Sequence, residues 1–157
     1  MADGLVQPLG FDFLAPWREI MANLFIDRGN LADAPELKRG TSKADREFVV
    51  ANMRVFFGRY RQDRETGEVE QVGGFWRPVE IYGAKAEACA KLLRKGARVL
   101  VIGQEREFTA RDESGNEVQA YKIVADDVAL QLTRIESITF AAARNYADEG
   151  EPATVEG

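Results

Sequence analysis

Apolar and polar positions alternate along most of the chain, which is the period-two pattern of half-buried β-strands. Valine, isoleucine and aromatic residues, which favour strands, are concentrated in the same runs. The pattern predicts strands over residues 24–31, with a bend near Pro35 into the basic segment 37–39, and over residues 48–60, 75–82, 97–109 and 118–124. A final strand is a further expectation over residues 134–140.

One segment, residues 84–95, has helical spacing instead and stops at Gly96. Its apolar positions are Ala86, Cys89, Ala90 and Leu93. Because Cys89 lies on this apolar face, it is predicted to be a packed core residue rather than a nucleophile.

Two stretches carry turn chemistry and predict long hairpin loops. The first covers residues 61–74, and the second is centred on Ser114-Gly115-Asn116. Pro78 removes a backbone donor from the third strand and predicts an edge or a break there. The order of three strands, one helix and two strands predicts a mainly β fold, a five-stranded oligonucleotide-binding (OB) barrel with its helix between strands 3 and 4.

The chain is predicted to contain one folded domain, over residues 21–141. Residues 1–20 have no periodic pattern and form an N-terminal extension. Two interpretations of this extension are open. In the first, Met21 is the natural start of the protein; in the second, the extension is an arm that packs on the barrel through Phe11, Phe13 and Trp17. Residues 142–157 are acidic and weakly apolar, which predicts a disordered tail.

Several classes of function are excluded by what the chain lacks. It has no histidine and a single cysteine, so Ser-His and Cys-His pairs, an internal disulfide and a zinc site have no residues to form them. Its acidic residues lack the spacing of a metal-binding loop. No apolar run is long enough to cross a bilayer, and no secretion signal is visible. The sequence therefore predicts a cytoplasmic protein that is not an enzyme and has no cofactor or metal.

Charge is unevenly distributed along the chain. The segment from Lys38 to Arg64 contains eight cations and three anions, a local charge of +5, which leaves −10 for the rest of a chain with a net charge of −5. This asymmetry indicates a basic binding stripe on an acidic protein. The alternative is a solvated loop that happens to be basic.

Three segments, in the same order, carry a resemblance to a known family. They are Phe75-Trp76-Arg-Pro-Val-Glu-Ile-Tyr82-Gly, the helix end Leu93-Arg-Lys-Gly96, and Val99-Leu-Val-Ile-Gly-Gln104. The chain resembles the bacterial single-stranded DNA-binding proteins over about residues 22–140. The resemblance implies a nucleoid-associated protein that coats single-stranded DNA, without sequence preference, during replication, recombination or repair.

The resemblance also implies roles for particular side chains. Trp76 and Tyr82 match base-stacking positions of the family, and a further stacking position near the tip of strand 2 falls on Tyr60 or Arg61. A guanidinium stacks on a base as an aromatic ring does, so either residue suits that position. A fourth position, just before the second hairpin turn, is a tryptophan in well-studied members but falls near Ala110 here, and Phe108 is the expected substitute.

Strand periodicity agrees with these roles, because alternate side chains face opposite sides of a strand. The outward sets are Trp76 and Tyr82 in strand 3, and Arg54, Phe56 and Tyr60 in strand 2. The inward sets are Val79 and Ile81, and Met53, Val55 and Phe57. Aromatic residues in strands are more often core than exposed, but these are interleaved with cations, as sequence-tolerant strand binding requires. Trp76 is beside Arg77, Tyr60 is between Arg59 and Arg61, and Phe108 is close to Arg106 and Arg111. The predicted nucleic-acid contacts are Trp76, Tyr60, Tyr82, Phe108, Arg54, Phe56, Arg59, Arg61, Arg77, Arg106 and Arg111.

Strand 4 is apolar on both faces. Val99 and Val101 are predicted to face the barrel, while Leu100 and Ile102 face away and need cover. Leu100 and Ile102 are therefore predicted at a subunit interface. The resemblance implies a homotetramer, with a dimer as the alternative.

The tail departs from the family, many of whose members end in aspartates followed by an Ile-Pro-Phe tip that recruits replication and repair proteins. The tail here is acidic at Asp148, Glu149, Glu151 and Glu156 but has no such tip. Recruitment of those partners through the tail is therefore in doubt, and a specialised or mobile-element paralogue is indicated. The alternative function is an OB-fold assembly protein that acts mainly through protein partners.

Overall fold

The computed structural model describes residues 21–143, so the predicted extension and the tail from residue 144 onward lie outside it. Six strands and one α-helix make up most of the described part. In chain order the elements are β1 (Leu24–Leu31), β2 (Glu36–Thr41), β3 (Glu47–Gln62), β4 (Val69–Tyr82), α1 (Ala84–Leu92), β5 (Arg98–Arg111), β6 (Glu117–Leu130) and a 3-10 turn (Leu132–Arg134).

The strands form one sheet in the order β1-β5-β6-β4-β3-β2, and an additional pairing of β1 with β3 closes it. β4 and β6 run parallel where they meet, at Val79–Ile123 and Glu80–Val124, and the other pairings are antiparallel. This closed sheet, with α1 between β4 and β5, confirms the mainly β OB-fold barrel.

The count of strands differs from the prediction because the predicted first strand is two strands. β1 and β2 lie along the same edge of β3: β1 pairs with Val55 and Phe56, and β2 pairs with residues 47–52. Residues 32–35 interrupt them, and Pro35 at the end of this interruption has no backbone N–H to continue a ladder. The bend therefore breaks the strand rather than only curving it.

The break predicted at Pro78 is wrong, because Pro78 pairs with Arg54 inside a continuous β4. Within residues 21–143, β6 pairs only with Val79 and Glu80 on the other edge of β4, so the missing donor of Pro78 interrupts no ladder there. The register shifts instead between Arg59 and Tyr60, in the outer part of the β3–β4 hairpin, residues 59–73, which is called the β3–β4 arm below.

The final strand predicted over residues 134–140 is also wrong. The N–H of Ile135 donates to the carbonyl of Leu132, which closes the 3-10 turn after β6. Residues 135–143 then have no regular structure, and Ile138 and Phe140 are exposed, so no neighbouring strand pairs with this segment within the described part of the chain.

The predicted helix is present but ends at Leu92, three residues early. Leu93 is extended and packs against the core, which turns the chain back toward the barrel. Gly96 has a φ of 80° and donates its N–H to the carbonyl of Leu31, so it closes the connection to β5 rather than capping the helix.

One hydrophobic core fills the barrel, and it contains the inward residues that periodicity predicted. Its buried members are Leu31, Ala51, Met53, Val55, Phe57, Val79, Ile81, Ala86, Cys89, Val99, Val101, Ile123 and Ala125. Burial raises the pKa of the Cys89 thiol, as expected of a packed cysteine rather than a nucleophile.

Candidate nucleic-acid interface

Trp76 lies at the centre of an exposed aromatic cluster on the outer face of β3 and β4. It pairs across the strands with Phe56, and the two ring centroids are 4.9 Å apart at an interplanar angle of 49°. The guanidinium of Arg54 lies 4.5 Å from the Trp76 ring centroid. Trp76 remains 45% exposed, although Val79 and Ile81 in the same strand are buried. The predicted orientation of this part of β4 is therefore confirmed.

Gly74 makes room for this cluster. A Cβ at that position would lie 2.5 Å from Cζ of Phe56, and the φ of Gly74 is 146°, a conformation that other residues rarely adopt. The Phe56 ring therefore packs directly against the backbone of Gly74, beside Trp76.

A second aromatic pair lies where β4 ends. Tyr82 is 48% exposed, and its ring centroid lies 6.3 Å from that of Phe48, which is 38% exposed. The Tyr82 hydroxyl donates to Oε2 of Glu80 at 3.2 Å. Partial burial, and then the negative charge of Glu80, raise the pKa of Tyr82, so the hydroxyl stays protonated near neutral pH. Sequence reasoning missed Phe48, although it lies within the basic stretch from Lys38 to Arg64 and shares its strand alternation with the outward residues Arg54 and Phe56.

An ion pair lies between the two aromatic groups. Nζ of Lys122 is 3.0 Å from both carboxylate oxygens of Glu80, and both side chains are less than one-third exposed. The same Nζ lies 5.7 Å from the ring centroid of half-buried Phe108. Lys122 therefore connects Phe108 on β5 to the outer face of β4. The sequence had indicated Arg106 and Arg111 as the cations beside Phe108.

Tyr60 is exposed at the start of the β3–β4 arm, where its ring folds over Gly58. The guanidinium of Arg98 lies 6.0 Å from its ring centroid and also donates to Oδ1 of Asn30 at 3.4 Å. The cation beside Tyr60 thus comes from β5, and not from the neighbouring arginines that the sequence suggested.

Arg59 and Arg77 are not brought to the Trp76 cluster. Arg59 forms an ion pair with Asp27 at 2.8 Å, and Arg77 forms one with Glu105 at 3.0 Å. Both guanidinium groups lie close to the ring of Phe75, with its centroid 5.3 Å from Arg59 and 4.8 Å from Arg77. Because Phe75 belongs to the inward set of β4 and packs against the core, these arginines cover one end of the barrel.

The other predicted arginines lie on the two hairpin arms. Arg61 pairs with Glu70 across the β3–β4 arm at 3.1 Å, and Arg106 donates to Gln104 at 2.6 Å. Arg111 is exposed at the end of β5. On the neighbouring strand β6, Tyr121 is 44% exposed with the Arg77 guanidinium 5.6 Å from its ring centroid, an arrangement that sequence reasoning also missed.

Nothing in the described part of the chain indicates a metal centre or a membrane span. Residues 21–143 contain no group of three or more cysteine or acidic side chains arranged to hold a metal ion. They also contain no helix with the length and apolar character that crossing a bilayer requires.

Taken together, the closed barrel and the position of α1 between β4 and β5 define the class of OB-fold proteins. A model of the single-strand binding protein family matches residues 22–131. The chain therefore belongs to the single-strand binding protein family.

Two relatives show the same likeness. The chain is 30% identical over 105 residues to a single-stranded DNA-binding protein of Corynebacterium glutamicum, a match that covers 67% of this chain and 45% of the relative. It is 31% identical over 104 residues to single-stranded DNA-binding protein 2 of Streptomyces coelicolor, covering 66% of this chain and 50% of the relative. The match thus spans about half the length of these relatives.

A solved structure shares the fold. The crystal structure of a small single-stranded DNA-binding protein from Streptomyces coelicolor matches with a TM-score of 0.59 at 20% sequence identity. The match covers 71% of this chain and 95% of the other.

Proposed function

We propose that this protein binds and coats single-stranded DNA without sequence preference, through the aromatic outer face of its barrel. The observation that carries the proposal is the cluster of Trp76, Phe56 and Arg54, a half-exposed ring flanked by a second ring and a guanidinium. Every base has a π-face, so such a platform accepts any sequence. Membership of the single-strand binding protein family, and the names of the two relatives, support the same activity.

The proposed interface extends from this cluster in two directions. Tyr82 and Phe48 form a second platform at the end of β4, and Phe108 with Lys122 forms a third beside it. Tyr60, Tyr121, Arg61, Arg106 and Arg111 extend the surface along the hairpin arms. We assign Arg59 and Arg77 to the end of the barrel, where they support Phe75 through their ion pairs.

The test is a fluorescence titration with oligo(dT) in a Trp17→Phe background, so that Trp76 is the single tryptophan. We expect saturable quenching that weakens with added salt. Trp76→Ala, followed by anisotropy of a labelled oligo(dT), should weaken binding by the stacking contribution of one base, about 1–3 kcal/mol, or roughly 5- to 150-fold.

A matched control separates stacking from general damage. Phe140→Ala removes an aromatic ring that is 86% exposed and lies outside the proposed interface, so binding should not change. Absence of binding by the unaltered protein at low salt would refute the proposal and favour the assembly protein that acts through protein partners.

We further propose that the protein assembles as a homotetramer, with a dimer as the alternative. Val99 and Val101 are buried in the barrel, whereas Leu100 and Ile102 on the other face of β5 are only half-buried. Ile102 pairs with Ile26 of β1, which is 57% exposed, so an apolar patch continues across both strands. Within residues 21–143, the edge of β1 facing away from β5 pairs with another strand only at Asn30 and Leu31.

The mass of the assembly tests this proposal by light scattering coupled to gel filtration. Ile26→Glu combined with Ile102→Glu should lower the mass of the assembly, because a second copy cannot bury the new charges. A monomeric unaltered protein would contradict it. As a homo-oligomer at the nucleoid, the protein would serve replication, recombination or repair by occupying several stretches of one strand at once. The proposal involves no chemical step and no cofactor.

A further inference from the structure

A cleft on a different part of the surface lies between the end of α1 and the segment that follows β6. Its volume is about 780 Å³, and it is lined by Arg94, Lys95, Gly96, Leu130, Arg134 and Ser137, among others. Leu92 and residues 94–97 form one wall, and the end of β6 with residues 134–137 forms the other. None of the aromatic residues proposed to bind DNA lines this cleft.

The cleft is basic. Arg94, Lys95 and Arg134 are exposed, and none of them forms an ion pair with another residue in the described part of the chain. Among residues 21–143, Glu136 is the one acidic side chain that lines it. Three cations against one anion make the cleft attractive to a carboxylate-rich ligand.

The same region exposes large aliphatic side chains. Leu92 is 70% exposed and Leu132 is 67% exposed, although both are leucines in elements that pack on the barrel. Leu92 and Leu130 also line a second hollow of about 260 Å³, between α1 and β6, whose floor includes Cys89 and Val128. The basic cleft thus adjoins an apolar hollow, and the two share a leucine rim.

This combination distinguishes between two anionic ligands. Sequence-tolerant binding of a single strand combines cations with stacking platforms, and no aromatic side chain of residues 21–143 lines either depression. A peptide with carboxylates next to a large apolar side chain matches both parts, because the carboxylates meet the cations and the apolar group fills the hollow. We infer that this cleft is a docking site for an acidic, apolar segment of a partner protein.

The experiment selects ligands for the full-length protein from a displayed library of random twelve-residue peptides. We expect the selected peptides to combine acidic residues with leucine, isoleucine or phenylalanine. Arg94→Glu combined with Lys95→Glu should weaken binding of a selected, fluorescein-labelled peptide at least about tenfold, a loss of about 1.4 kcal/mol. Leu92→Ser should also weaken it, and since Leu92 is mostly exposed the fold should tolerate the change.

The control is Lys43→Glu combined with Arg46→Glu, which makes the same change of charge at two exposed residues of the β2–β3 turn. This variant should keep peptide affinity, and the cleft variant should keep affinity for oligo(dT). Selection of no peptides, or only of peptides without acidic residues, would overturn the inference. So would a larger loss of oligo(dT) affinity in the cleft variant than in the control, or dissociation of its assembly, since these results identify DNA or a second copy as the occupant.

Discussion

Replacing Glu80 with glutamine should strengthen DNA binding and make it more sensitive to salt. In the free protein the Glu80 carboxylate lies 3.0 Å from Nζ of Lys122 and neutralises it. The carboxylate is also a negative charge between the Trp76 and Tyr82 platforms, where phosphates of a bound strand would pass. Glutamine keeps the shape, and its amide oxygen can still accept the hydrogen bond from the Tyr82 hydroxyl. Lys122 then becomes free to contact a phosphate.

The size of the effect follows from counterion release. One added phosphate contact on a single strand makes the slope of log affinity against log salt steeper by about 0.7. If both proteins bind equally at 1 M salt, the variant should bind roughly eightfold more tightly at 0.05 M salt and roughly threefold more tightly at 0.2 M. Stability should change little, because the freed lysine is partly exposed and reaches water.

The assay is an oligo(dT) titration of both proteins at five or more salt concentrations. Asp127→Asn is the matched control, since it removes one negative charge from the ion pair between Asp127 and Lys85 of α1, which lies beside the apolar hollow and not on the aromatic surface. An unchanged or shallower slope for Glu80→Gln would refute the reasoning. Weaker binding at every salt concentration would show that the carboxylate mainly holds Lys122 and Tyr82 in place.

Three other predictions concern stability and protonation. Phe57→Ala should lower the free energy of unfolding by about 3–5 kcal/mol in urea titration, because Phe57 is fully buried, and a loss below 1 kcal/mol would contradict this. Gly103→Ala should destabilise the folded protein strongly, because the added Cβ would lie 2.3 Å from a backbone oxygen of β6. Its control is Gly73→Ala, where the Cβ enters open space, so the free energy of unfolding should equal that of the unaltered protein. Hydrogen bonds, chiefly from the backbone N–H of Asn116, lower the pKa of Asp112. The second hairpin turn should therefore lose the support of these bonds only as the pH falls through that lowered pKa. An NMR titration in which the Asp112 carboxyl has its midpoint at or above the ordinary pKa of aspartate would contradict this.

The fold was predictable wherever local pattern alone decides structure. Alternation identified the inward residues of β3 and β4, because a one-residue slip would expose the whole buried set. The Asp-x-Ser-Gly turn chemistry likewise located the second hairpin, where Asp112 accepts the N–H groups of Ser114 and Asn116. The final strand failed because alternation over residues 134–140 cannot reveal whether a neighbouring strand edge is available.

The neighbours of each aromatic ring were not predictable, because they come from other strands, and the sequence of one strand does not show which residue of another strand lies beside it. The cation beside Phe108 is Lys122, and the cation beside Tyr60 is Arg98, which lies 38 residues away. Proximity in sequence had suggested Arg59 and Arg61 beside Tyr60, but adjacent residues of a strand point to opposite faces. Arg106 shares a strand face with Phe108, but its guanidinium donates to Gln104. Phe48 approaches Tyr82 for the same reason, through the pairing of Val50 with Tyr82.

These long-range contacts also change the expected balance of binding energy. Several cations that composition alone would assign to phosphates are already paired with carboxylates, namely Arg59 with Asp27, Arg61 with Glu70, Arg77 with Glu105 and Lys122 with Glu80. A cation that exchanges a carboxylate for a phosphate gains less than a free cation does, because its charge was already compensated. If all eight cations between Lys38 and Arg64 met phosphates, the salt slope would be about −5.6. We expect a clearly shallower slope, with base stacking on the aromatic platforms supplying most of the affinity, so loss of Trp76 should cost more than loss of any one arginine.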